Sequence, residues 1–260
     1  PALLYIKGDK QILTEKSIAI VGSRNANQKS LDFTDNIAKL ASKEFKVVVS
    51  GFAKGVDKQA LDSAIKYLGR SIIVLPQGVL TFNSGYQTYY KQIVNGDITV
   101  LSVFHPNAPW RVELAMARNT IIYGLADEIY VAQSDEKGGT WSGVQDGIRK
   151  RRTIYVRKPD EGEINANNKL IQFGAKAVDF EGKVLDGSDK VISIDEKIKE
   201  ILKGKYLKAD EILTKSVLDW TSKKLSLYMK KLDFIKTKKE KQSTLFGLKS
   251  ENEEKQTELF

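Results

Sequence analysis

Up to about Arg157 the chain alternates between two kinds of hydrophobic pattern. Short apolar runs fall at Ile18–Val21, Val47–Val49, Ile72–Leu75, Ile98–Leu101, Glu128–Ala132 and Thr153–Val156. Between them, apolar residues recur at helical spacing over Gln28–Glu44, Asp57–Leu68, Tyr86–Val94, Val112–Tyr123 and Ser142–Lys150. Runs of three to five residues without polar alternation suit strands buried on both faces. Strand and helix in strict alternation predict an α/β domain with a largely parallel sheet and helices on both faces. In such sheets ligands sit beyond the carboxyl ends of the strands, where strand order reverses.

Past Arg157 the pattern loosens. Asn167–Phe173 reads as a short helix, Ala175–Val178 as a further strand, and Glu181–Asp189 as a Gly- and Asp-bearing turn. Lys208–Phe234 carries an apolar stripe and reads as a helix. From Lys236 onward the chain is polar and charged, which predicts disorder. The expected organisation is one domain over 1–205, a helical appendage over 206–235 and a disordered tail over 236–260.

Two strand ends carry chemistry. Gly22-Ser23-Arg24 follows the first apolar run, and Ser50-Gly51-Phe52-Ala53-Lys54-Gly55-Val56-Asp57 follows the second. A strand, a glycine turn and a helix start place backbone N–H groups and the positive helix end around an anion. Arg24 and Lys54 add charge, and Asp57 suits the helix N-terminus as a cap. Lys137-Gly138-Gly139-Thr140 follows the fifth run in the same way. Neither G-x-G-x-x-G nor a Walker lysine motif occurs, so no dinucleotide or ATP cofactor is expected.

Composition narrows the partner. Among 260 residues, 42 Lys+Arg against 33 Asp+Glu give a formal charge of +9, which favours a polyanion. There is no cysteine and one histidine, His105, so disulfides, cysteine catalysis and a zinc site are not expected. No signal-peptide or membrane-length apolar run is visible, and a cytoplasmic protein without a membrane partner is expected. The chain opens on Pro1, so its natural start is expected upstream.

Ile20-Val21-Gly22-Ser23-Arg24, then Ser50–Asp57, then Ala117-Arg118-Asn119-Thr120-Ile121-Ile122-Tyr123-Gly124-Leu125-Ala126-Asp127 resemble, in order, the core motifs of the DprA/Smf DNA-processing family. The lead-in Pro1–Gly8 is similar too, and the likeness reaches about Phe180. It implies a Rossmann-like domain that binds single-stranded DNA without catalysis, forms a homodimer and loads a RecA-type recombinase. The binding set it implies is Gly22, Ser23, Arg24, Ser50, Gly51, Lys54, Arg118, Asn119, Lys137, Gly138, Gly139 and Thr140. The sequence departs from the family pattern at Lys54 and Thr120, where arginine is usual, and at Gly138-Gly139-Thr140, where Ser-Gly-Ser is usual. That last loop is partly like the phosphate loop of nucleotide phosphoribohydrolases. The alternative reading is therefore a free-nucleotide sensor or enzyme using the same cleft, with Glu113 as base. No C-terminal winged helix is read from the sequence.

Trp110 and Trp141 are each able to stack a base or to cover the core, and Trp110 is assigned to the core. The tail repeats Q-x-x-L-F at Gln242–Phe246 and Gln256–Phe260. These resemble the bacterial sliding-clamp peptide, and Gln242, Leu245, Phe246, Gln256, Leu259 and Phe260 are the expected docking residues.

Overall fold

The computed structural model describes residues 1, 3–185, 194–216, 221–240 and 243–249. They fall into two compact units, Pro1–Val191 and Ile192–Phe260.

The first unit is built on an eight-stranded sheet. In chain order its strands are β1 (Tyr5–Lys7), β2 (Ser17–Val21), β3 (Val47–Ser50), β4 (Ser71–Val74), β5 (Ile98–Ser102), β6 (Glu128–Val131), β7 (Thr153–Arg157) and β8 (Lys176–Val178). In space the order is β1-β5-β4-β3-β2-β6-β7-β8, parallel except for β1, which pairs antiparallel with β5. The chain lays down β2 to β5 in one direction, then returns to start β6 on the other side of β2. That reversal makes the carboxyl ends of β2 and β6 the switch point of the sheet.

Side-chain alternation along β2 divides the core. Ile18 and Ile20 point to α1 (Gln28–Lys43) and α2 (Val56–Lys66), where Phe33, Ile37 and Ala60 receive them. Ala19 and Val21 point the other way, to α4 (Val112–Leu125), α5 (Gly139–Arg149) and α6 (Asn167–Gln172). The helix α3 (Asn83–Asn95) covers Ile73 and Val100 with Tyr89 and Ile93. Every strand residue from Ser17 to Val21 is buried, as the unbroken apolar run predicts.

The second unit corrects three expectations. The boundary lies near residue 191, not 205, because α7 (Ile194–Leu202) shares a core with the elements after it. The stretch 208–234 is not one helix: α8 (Ala209–Ser216) and α9 (Ser222–Met229) are separate. Thr221, in extended backbone, caps α9, its side chain accepting from the Lys224 N–H. Residues 236–240 and 243–249 are not disordered, since β9 (Ile235–Glu240) pairs antiparallel with β10 (Ser243–Leu248). Leu207, between α7 and α8, bridges to Phe246 of β10. Helix, bridge, helix, helix and hairpin in this order is the topology of a winged helix. Its core joins Ile198, Leu202, Ile212, Leu225, Met229 and Phe246. A polar tail gains order here because its few apolar residues meet helices already amphipathic. Burying a phenylalanine such as Phe246, 1% exposed, contributes roughly 1.5–3 kcal/mol.

Candidate nucleic-acid interface

The cleft opens at the switch point. The chain leaves β2 through Gly22, Ser23 and Arg24 and leaves β6 toward Lys137, Gly138 and Gly139. Both loops, with the first turns of α4, wall a cavity of about 390 Å³. The Ser23 N–H donates to the Gln133 carbonyl at 2.8 Å, and the Ser23 hydroxyl donates to Asp135 at 2.9 Å, so the two loops are held together. Arg24 and Lys137 are exposed on the rim.

The N-terminus of α5 faces this cavity. Gly138 precedes the helix at φ 96°, a left-handed backbone that favours glycine, and no side chain caps the end. Gly139 and Thr140 line the cavity, so their N–H groups and the positive helix end are available to an anion. Asn119 fixes this end by donating from Nδ2 to the Gly139 carbonyl at 3.2 Å.

Arg118 forms the inner wall. It is 4% exposed, yet its Nε and Nη1 groups make no hydrogen bond. Its partner is Asp57, whose Oδ2 lies 3.6 Å from Nη1, close enough for an ion pair and too long for a hydrogen bond. Burial raises the Asp57 carboxyl above its ordinary range, and the Arg118 charge opposes that rise. Burial likewise lowers the Arg118 pKa, against the pull of Asp57. A buried guanidinium with two idle donors is costly unless a ligand accepts from it. Tyr123, also on this cavity, has a buried hydroxyl without a partner. Gly51 explains how Arg118 fits. A Cβ at this position would collide with the guanidinium and with Asp57, so the end of β3 has to be glycine for Arg118 to lie over it.

A second cavity of about 240 Å³ shares Arg24 and Arg118 with the first. Lys54, Phe52, Phe82 and Trp110 complete its wall. Phe52 and Phe82 meet edge to face with centroids 4.8 Å apart.

The predicted residues thus separate by role. Gly22, Ser23, Arg24, Arg118, Asn119, Lys137, Gly138, Gly139 and Thr140 line the first cavity, and Lys54 lines the second. Ser50 does not take part. It is fully buried and donates to the Ile20 carbonyl at 2.7 Å, pinning β3 to β2. Asp57 is not a cap, because Gly55 is the N-cap of α2, no side chain makes a capping bond there, and the carboxylate turns to Arg118. Glu113 and His105 are exposed and line neither cavity. Trp110 is not a core residue. Trp110 is 47% exposed beside Lys54, whereas Trp141 packs on Phe173 at 5.6 Å against the core. Phe246 is core rather than a docking residue, and Leu245 sits in the same paired strand. Gln242, Gln256, Leu259 and Phe260 lie outside the described residues. Sequence reasoning missed Tyr123, Asp135 and Gln77 as cavity walls. Tyr123 stands inside the Ala117–Asp127 motif, and Asp135 two residues before Lys137, so proximity to those motifs was the available signal.

The family model of DNA recombination-mediator protein A matches residues 1–188. The chain belongs to this family. The DNA processing protein DprA of Bacillus subtilis is 31% identical over 185 residues, 68% of this chain and 61% of that protein. The one from Streptococcus pneumoniae is 29% identical over 181 residues, 68% of this chain and 64% of that protein. The chain therefore spans less than two thirds of the length of these curated relatives. The X-ray structure of the S. pneumoniae protein superposes with a TM-score of 0.61 at 27% identity, over 67% of this chain and 62% of that one. The Helicobacter pylori DNA processing protein A, solved to explain its single-stranded DNA binding mode, gives 0.60 at 25% identity, over 67% of this chain and 80% of that one. As a member of the DNA recombination-mediator family, the chain carries the family domain in its first unit. The family match stops short of the second, Ile192–Phe260. No helix among the described residues is long and apolar enough to cross a membrane.

Proposed function

We propose that the first unit binds single-stranded DNA along the switch-point cleft. Phosphates would sit against Arg24 and Lys137 and the N–H groups of Gly139 and Thr140, with Arg118 supplying its idle donors from below. The observation that carries this reading is Arg118: a buried cation with two unpartnered N–H groups on the wall of a basic, open cavity. Arg24 borders both cavities, and Lys54 and the half-exposed Trp110 continue the path. A path of alternating cations and an aromatic ring suits a strand better than a mononucleotide, and stacking on Trp110 would add about 1–3 kcal/mol. The reading is one of binding without bond breaking. Asp57 is committed to Arg118, Asp135 accepts from Ser23, and Glu113 stands outside both cavities. A second copy of the chain and a RecA-type recombinase are the partners the family likeness supplies to this proposal. Sliding-clamp docking rests on Gln256–Phe260 alone.

The test is anisotropy of a labelled oligo-dT against salt. With four phosphates neutralised, affinity should fall about fifty-fold between 50 and 200 mM salt, and Arg24→Ala should flatten the slope by about 0.7. Tight dTMP binding together with salt-insensitive oligo-dT binding would replace this reading by the nucleotide-sensor one.

A further inference from the structure

We propose that the end of the sheet opposite the cleft, where the strands of the first unit begin, is a peripheral docking surface for an anionic lipid bilayer. Phe45 and Leu68 are the side chains that enter the lipid, and Lys16, Lys43, Arg149 and Arg151 meet the headgroups. The expectation of no membrane partner rested on the lack of a spanning run, and a surface contact needs none.

The helix-to-strand turns at this end carry the observation. Five helices end in the same way, with an N–H returning to the carbonyl five residues back: Lys46 to Ala41, Gly69 to Ala64, Asp97 to Gln92, Arg152 to Gly147 and Ala175 to Leu170. The residue before that N–H takes a left-handed backbone, a place where glycine costs nothing. After α3 and α6 it is Gly96 and Gly174, as expected. After α1, α2 and α5 it is Phe45 at φ 54°, Leu68 at φ 57° and Arg151 at φ 57°. These are the only non-glycine residues with positive φ among the described residues. Packing does not explain them, since Phe45 is 90% and Leu68 95% exposed, and Arg151 is exposed too. Strained backbone and bare apolar side chains at the same places call for something outside the chain.

The three turns share one surface. Strands β4, β3, β2, β6 and β7 are consecutive in the sheet, so at about 4.8 Å per strand the turns of Leu68 and Arg151 start about 19 Å apart. The turns of Phe45 and Leu68 touch, because a Cβ on Gly69 would strike the Ser42 hydroxyl.

Charge selects the partner. The acids of this end are engaged: Glu44 and Glu128 with Lys46, Asp9 and Glu15 with Arg70, Asp35 with Lys66, and Asp127 with the Ser17 N–H. Asp97, half-buried before β5, is the acid left over. Against it, Lys16, Lys43 and Arg151 are exposed with no acid partner among the described residues. Arg149 lies 4.0 Å from Asp146, which Lys150 holds at 2.7 Å. Side chains as bare as Phe45 and Leu68 have no groove beside them to receive a partner protein, whereas a fluid bilayer closes round an apolar tip. Two apolar tips flanked by free cations therefore fit an anionic leaflet. The cleft, at the other end of the strands, would face away from it.

The experiment is sedimentation of the full chain with phosphatidylglycerol vesicles and, separately, phosphatidylcholine vesicles, with oligo-dT anisotropy in parallel. The chain should prefer the anionic vesicles, and the preference should fall as salt rises. Phe45→Gly with Leu68→Gly should weaken vesicle binding by roughly tenfold or more. The thermal midpoint should not fall, since glycine relieves the left-handed backbone. Arg149→Gln and Arg151→Gln should each cost about fivefold. Oligo-dT binding should stay as in the parent, because none of these residues lines either cavity of the cleft. The glycine variant keeps the lysines of β9, so vesicle binding through the second unit would show as no loss. Three results would each overturn the proposal. They are a glycine variant that sediments like the parent, equal binding to neutral and anionic vesicles, and a parent chain that binds no anionic vesicle at low salt. The last would leave the two tips to a protein partner.

Discussion

Asp57→Asn tests the account of the cleft most directly. The substitution keeps the side-chain shape and removes the one negative charge paired with Arg118. At 3.6 Å and an effective dielectric of about 20, the lost attraction is about 4.6 kcal/mol. That agrees with the roughly 3–5 kcal/mol typical of leaving a buried charge without its partner. A domain of this size loses about 2–4 °C per kcal/mol, so the first unit should melt roughly 6–20 °C lower. Thermal unfolding followed by near-ultraviolet circular dichroism reads this, because Trp141 is packed against that unit's core. Binding should move the other way. Asp57 competes with any phosphate for the Arg118 donors, so the variant should bind oligo-dT at least as tightly as the parent. At one hundred times its Kd the oligonucleotide should return about 2.7 kcal/mol of stability. Adding Arg118→Met to Asp57→Asn should recover most of the lost stability, since it removes the orphaned charge. A stability loss below about 1 kcal/mol, or oligo-dT affinity falling together with stability, would refute the reasoning.

Two further outcomes rest on the same structure. Phe246→Ala should cost about 3–5 kcal/mol and unfold the second unit, whose core is small; limited proteolysis cutting within residues 192–260 reads this, and an unchanged fragment pattern would return Phe246 to the docking role. Glu163 is held at about 2, below its ordinary 4.5, chiefly by hydrogen bonds from the buried Arg157. Its contribution is therefore complete above pH 4.5 and is lost as the pH falls toward 2, with a ceiling of about 3 kcal/mol that solvent screening brings nearer 1–2. Glu163→Gln should be less stable than the parent at pH 7 and flatter between pH 5 and 3 in urea denaturation, and parallel acid limbs would show that the pair does not carry it.

Local pattern alone determined the first unit. Three- to five-residue apolar runs separated by helical periods leave few solutions other than a parallel sheet between helices, and the glycine-bearing loops had to emerge at the carboxyl ends of its strands. Arg24, Lys54, Lys137 and the Gly138–Thr140 turn were legible for that reason: their place is set by their offset from a strand. Residues whose role depends on what arrives from elsewhere were not. Ser50 sits in a motif but bonds across to Ile20, Asp57 turns from its own helix end to Arg118 on α4, and the tryptophans divide because Trp110 stands on an exposed loop before α4 while Trp141 on α5 packs against Phe173. The second unit was hidden most. Its first strand, β9, is lysine-rich, and Phe246 of β10 finds its partners Ile198 and Leu225 far away along the chain. A charged ribbon has no hydrophobic period of its own to announce it. Only the tertiary core, by supplying the apolar contacts that the ribbon lacks, decides that it folds.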